Sequence, residues 1–183
     1  MKHALKRPLP LAIASTLLLA SVAAQAGDVV RHPLANGNPF PIARAVTVPA
    51  GTELIFHSGT TPGAPADPSA APGTVAYWGD TKTQALSTFK AIQASLTDLG
   101  LGFGDVVSMT VYLVADPASK DGRMDFAGFM ESYKLFFGTP EQPNLPSRST
   151  VQVAGLASPG VLVEVEVTLA HKAPAAHGTH KPK

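Results

Sequence analysis

Arg148 is the residue of this 183-residue chain best suited to hold an anion. It follows Pro146-Ser147 at the head of an extended run, so a permanently charged planar fork is carried by a strand start and not by a floppy loop. Two N–H donors in one plane match a carboxylate and fix its orientation. Downstream, the run Leu162 to Leu169 carries Glu164 and Glu166. Side chains alternate along a strand, so Val163, Val165, Val167 and Leu169 face a core, while Leu162, Glu164, Glu166 and Thr168 face away from it. A carboxylate so placed can take a proton from water as general base and return one to a departing group. The residues alone leave two uses open. Arg148 binds the carboxylate of a ligand, or it closes an internal salt bridge with Glu164 or Glu166, at a desolvation cost and without chemistry.

The elements that must position these groups follow from pattern. Pro143 to Leu169 reads as two strands joined by a Gly/Pro-rich turn. Residues 27–41 are polar and punctuated by Pro33, Gly37, Pro39 and Pro41, and read as an arm without regular structure. Arg44 to Val48 and Glu53 to His57 read as short strands with a hairpin-like connection at Pro49-Ala50-Gly51. Thr60 to Gly79, with Pro62, Pro65, Pro68 and Pro72, reads as a long loop ending in Tyr77-Trp78, which forms a lid over the next helix or an aromatic wall for a ligand. Asp80 to Leu99 predicts a helix capped by Asp80 and closed by Gly100, with Leu86, Phe89, Ile92, Leu96 and Leu99 as its apolar stripe. Val106 to Val114 predicts an interior strand, and Asp121 to Phe137 a second helix with Phe126, Phe129, Met130, Tyr133, Phe136 and Phe137 on one broad face. The order is that of an α+β domain with both helices on one face of a mixed sheet.

The ends and the charge narrow the class. Lys2, Lys6 and Arg7 precede an apolar run from Leu9 to Ala24, and Ala24-Gln25-Ala26 has the form of a cleavage site, so residues 1–26 are expected to be a signal peptide cut after Ala26. Export to the periplasm or beyond follows from that reading, with no membrane attachment after cleavage. No cysteine is present, which excludes a disulfide framework and a lipid anchor on cysteine. Three of the 14 Lys and Arg precede residue 27, leaving 11 against 13 acidic residues and a formal charge of −2. That is not the footprint of a nucleic-acid binder. Residues 172–183 are expected to be a disordered tail, and His171, His177 and His180 without carboxylate or cysteine support are a poor metal-ligand set, so no metal is expected.

The run from Pro146 to Leu156, PSRSTVQVAGL, followed after a short gap by Val163-Glu164-Val165, resembles the signature of the RidA/YjgF family of enamine/imine deaminases. Val165-Glu166-Val167 fits at a longer gap, so the register leaves Glu166 as the alternative to Glu164. The resemblance covers most of residues 42–171 and implies a chorismate-mutase-like fold that assembles as a homotrimer with ligand sites between subunits. It implies a 2-iminobutanoate/2-iminopropanoate deaminase-like hydrolase that needs no cofactor and turns imino acids into 2-oxo acids and ammonia. Arg148 matches the family's carboxylate-binding arginine and Glu164 its water-activating glutamate, while Ser58-Gly59 matches a serine-glycine pair bordering the pocket. Two positions depart from the pattern. Ile42 stands where a pocket tyrosine is usual and Met130 where an asparagine is common, so the pocket should be greasier and its ligand larger or more hydrophobic. Those losses favour a rival of another class, a non-catalytic small-molecule-binding trimer for 2-oxo or imino acids. A ribonuclease reading, also reported in the family, sits badly with export and an acidic mature chain.

Overall fold

The computed structural model describes residues 27–172. The expected leader, residues 1–26, and most of the expected tail, with His177 and His180, lie outside the described residues. Nine regular elements follow in order: β1 Val30–His32, β2 Ala45–Thr47, β3 Glu53–Thr60, α1 Val75–Trp78, α2 Thr81–Asp98, β4 Val106–Val114, α3 Phe126–Tyr133, β5 Ser147–Val153 and β6 Val163–His171. Four strands form a mixed sheet in the order β3-β6-β4-β5, in which only β4 and β5 run parallel. The helices pack on one of its faces, as the α+β reading requires.

The alternation in β6 decides which face is which. Val163, Val165, Val167 and Leu169 are at most 2% exposed, whereas Glu164, Glu166 and Thr168 between them are half-buried. On β4, Met109, Val111 and Leu113 point the same way and are equally buried. They meet Phe89, Ile92 and Leu96 of α2 and Phe129 and Tyr133 of α3 in one core. The opposite face is open, carrying Thr110, Tyr112, Glu164, Glu166 and Thr168 at its centre and Leu54 and Phe56 on the β3 edge. Phe56 is 78% exposed.

Several expectations are corrected. The arm at 27–41 is not irregular throughout, because β1 pairs antiparallel with β2 and a single 3₁₀ turn follows at Ala35–Gly37. β2 and β3 therefore do not form a hairpin; β3 pairs instead with β6, whose second edge needs a partner that the three-residue β2 is too short to supply. The Pro-rich loop contains one helical turn, α1, because residues 74–78 are free of Pro and Gly and the Thr74 hydroxyl caps the Tyr77 N–H. Leu99 is 58% exposed rather than part of the core stripe, since the helix has ended and Gly100, at φ 73°, turns the chain away. The second helix is shorter than expected: it starts at Phe126, where the Asp125 carboxylate accepts the Gly128 N–H, and Phe136 and Phe137 lie beyond its end. Leu162 precedes β6 and is 3% exposed, so it does not share the glutamates' face.

Candidate functional site

Arg148 sits second in β5, opposite Met109, and points with the core-facing residues toward α3. Its Cζ lies 4.2 Å from the centroid of the Tyr133 ring and 5.5, 5.5 and 5.8 Å from those of Phe40, Phe129 and Phe126. Phe126, Phe129, Met130 and Tyr133 recur at helical spacing, so two turns of α3 present all four to one strand. Phe40 arrives from a distant segment held by two anchors. Tyr133 donates its O–H to the Pro41 carbonyl at 2.8 Å, and the Ala43 N–H donates to the Pro146 carbonyl at 2.9 Å. The guanidinium is thus enclosed by ring faces, each attractive to a cation.

What this cage lacks is an anion. Nη2 of Arg148 donates to Met130 Sδ at 3.1 Å, a weak acceptor, and Nη1 is buried without a partner. Among the described residues no carboxylate pairs with Arg148. Burial pulls its pKa below the ordinary value, with Tyr133 acting in the opposite direction. The same burial pushes the Tyr133 phenol up to about 12, against the pull of Arg148. A half-buried cation with a buried, unused donor is an incomplete structure, and a ligand carboxylate would complete it.

The glutamates lie elsewhere. Met109 pairs with both Arg148 and Val167, so those two share the core face, whereas Thr110 pairs with Glu166 and Tyr112 with Glu164 on the open face. The sheet itself separates Arg148 from both carboxylates, and the pleat therefore removes the internal salt bridge left open by the sequence. Glu164 lies over Gly59, where a Cβ would run into the carboxylate and stand 2.9 Å from its carbon. The register shift between His57 and Thr60 brings that bare backbone under Glu164. Glu166 accepts the Tyr112 O–H at 3.1 Å, a bond that raises the Tyr112 pKa ahead of burial and the charges of Glu166 and Glu164.

Two separate groupings result. Arg148, Met130 and Ile42 belong to one end, with Ile42 lining a cleft of about 310 Å³ beside Arg148 and an apolar one of about 370 Å³ with Leu34, Phe40 and Leu145. Ser58, Gly59, Glu164 and Glu166 belong to the other, with Ser58 and Glu166 lining a cleft of about 260 Å³ together with Ser108, Thr110 and Thr168. The clefts beside Arg148 and beside Glu166 share Ser108, Met109 and Thr110, but within one chain the Arg148 side chain and the two carboxylates stay on opposite faces of the sheet. Sequence reading missed the aromatic cage and Tyr112. Phe126, Phe129 and Tyr133 are legible as part of an apolar helix face, but nothing in that stripe alone says that a cation on β5 lies against it.

The chain has recognisable relatives. Residues 37–171 match the family described as Endoribonuclease L-PSP. TdcF of Escherichia coli, provisionally named a reactive intermediate deaminase, is 33% identical over 113 residues, which cover 62% of this chain and 75% of TdcF. The 2-iminobutanoate/2-iminopropanoate deaminase of Salmonella typhimurium is 35% identical over 95 residues, covering 52% of this chain and 67% of the relative. Among solved structures, the conserved Rid family protein YyfB from Yersinia pestis superposes with a TM-score of 0.57 at 20% identity, over 77% of this chain and 97% of that one. That likeness is one of fold.

Proposed function

Because the chain belongs to the Endoribonuclease L-PSP family, that of the RidA/YjgF proteins, we propose that it hydrolyses reactive enamine/imine intermediates to 2-oxo acids and ammonia. The observation that carries the reading is the caged Arg148 guanidinium with a buried, unpartnered N–H and no protein carboxylate beside it. A substrate carboxylate docks there bidentately and fixes the adjacent imine carbon in space. Glu164 takes a proton from water, hydroxide adds to the carbon of the protonated imine, and Glu164 returns that proton to the carbinolamine nitrogen; the C–N bond then breaks as the hydroxyl proton passes to Glu164, leaving the 2-oxo acid and ammonia. A C–N bond breaks, a C=O bond forms, and no redox step is needed.

The separation of Arg148 and Glu164 across one sheet sets the assembly this chemistry requires. The complete site combines Arg148 of one subunit with Glu164, Ser58 and Gly59 of another, in a homotrimer that covers the open face and its exposed Phe56. The leader reading adds that the trimer works in the periplasm or outside the cell.

A second reading has its own support. Met130 sulfur occupies a guanidinium donor and Ile42 offers no hydroxyl, which suits a trimer that binds 2-oxo or imino acids without efficient hydrolysis. Despite the family's name, ribonuclease activity fits poorly with the excess of acidic residues from residue 27 onward.

One assay separates these readings. Imino acids are generated in place by an amino-acid oxidase, and loss of the semicarbazide-trappable imine is followed with wild type and Arg148→Ala. Acceleration by wild type alone supports the deaminase. Arg148-dependent binding of 2-oxo acids without acceleration supports the binding protein, and neither effect removes both.

A further inference from the structure

We infer that Gln84 is a positioning residue for Glu164, a role that rests on the hydrolytic reading above. Gln84 lies early in α2, is fully buried, and spends its whole amide on backbone. Nε2 donates to the Gly79 carbonyl at 2.9 Å and to the Gly160 carbonyl at 3.0 Å, and Oε1 accepts the Leu162 N–H at 2.7 Å. These bonds tie three segments together: the end of the loop at 60–79, the turn that enters β6, and the helix.

The Leu162 bond matters most for the site. Leu162 stands just before the β6 ladder begins, so its N–H has no strand partner on that side, while its carbonyl accepts the Val114 N–H at 2.9 Å. Losing Gln84 leaves that amide buried and unpaired, which the chain relieves by shifting the start of β6. Glu164 is two residues further on. Its carboxylate rests against the bare backbone of Gly59, so a shift at the start of β6 moves it over that surface. The turn has no slack either: Gly160, at φ 74°, would place a Cβ 2.6 Å from the Thr74 backbone carbon, so the loop end and the turn are wedged together on Gln84. Arg148, by contrast, is carried by β5 at the far edge of the sheet and has no bond to this network. Gln84 therefore acts on the water-activating end of the site and not on the clamp.

The test uses Gln84→Met, which keeps length and volume but no hydrogen bond, and Gln84→Glu, which keeps the acceptor for Leu162 and loses both donors. Imine hydrolysis is measured well below each melting temperature, together with amide hydrogen exchange along β5 and β6 and the carboxyl-carbon resonance of Glu164. In Gln84→Met, kcat falls about tenfold while KM stays within about twofold, exchange at Leu162 to Glu164 speeds up, β5 keeps its protection and the Glu164 resonance moves. Gln84→Glu recovers part of the Leu162 protection and part of kcat. An unchanged kcat in folded Gln84→Met overturns the inference, as does loss of protection spread equally over β5 and β6, which marks a general stabiliser. If wild type hydrolyses no imine, the hydrolytic reading falls by itself. The exchange pattern and the Glu164 resonance then still decide whether Gln84 sets that carboxylate's position. Should Gln84→Met fail to fold, Gln84→Glu carries the same comparison.

Discussion

At the scale of single residues, the site turns on how a charge is kept in a nearly dry place without a counter-ion of its own. Four rings and a thioether surround the Arg148 guanidinium, and a planar, weakly hydrated cation is the one basic group that tolerates such surroundings. Lysine does not replace it. Arg148→Lys keeps the charge but loses the two-donor geometry, and the affinity for 2-oxo acids, read by calorimetry, should fall roughly a hundredfold, equivalent to about 2.7 kcal/mol. Met130→Asn should restore a polar contact beside the clamp and shift preference from bulky apolar imino acids toward small ones, read as a ratio of kcat/KM values. Tyr133 supplies a pH signature. Burial lifts its phenol from an ordinary 10.0 to about 12, so the folded protein holds a proton that the unfolded chain releases. That contribution is complete below pH 10 and is lost as pH rises through about 12. Urea unfolding at about pH 9 and about pH 11 should show a larger alkaline loss in wild type than in Tyr133→Phe, by on the order of 1–2 kcal/mol. An equal loss in both proteins would contradict the burial of that phenol.

At the scale of elements, β6 and β3 carry the candidate glutamate end, where Glu164 lies close against Gly59. Gly59→Ala must push the carboxylate aside. The expected result is a kcat reduced tenfold or more with 2-oxo acid binding unchanged, on the order of a small local displacement of a catalytic group; loss of binding instead would place Gly59 at the clamp. Here the sequence was readable where periodicity is local. The valine alternation of β6, the β-branched run of β4 and the capped α2 all follow from spacing and cap residues. Which strand lies beside which was not readable, because pairing is a long-range choice. The β2–β3 connection looked like a hairpin, yet β3 crosses to β6, more than a hundred residues away in sequence. The same limit hid the cage, since Phe40 reaches Arg148 through two long-range bonds, Tyr133 to Pro41 and Ala43 to Pro146.

At the scale of the molecule, the two ends of the site face opposite sides of one sheet, and the open side carries an exposed phenylalanine among hydroxyls and carboxylates. If subunits meet on that side, Phe56→Glu should yield a monomer by light scattering and abolish hydrolysis while leaving the monomer folded by circular dichroism. The candidate residues can be named from the sequence one by one; their placement in two groups cannot, because face assignment needs the register of β5 against β4 and of β4 against β6. The most direct measurement therefore asks whether one site is built from two chains. Arg148→Ala and Glu164→Ala, each inactive alone, are unfolded together, refolded as a mixture and assayed for imine hydrolysis. Random homotrimer assembly with one Arg148 end and one Glu164 end at every interface predicts recovery of about a quarter of wild-type activity. A mixture as inactive as its components, in which mixed trimers are verified by mass spectrometry, would contradict the shared site.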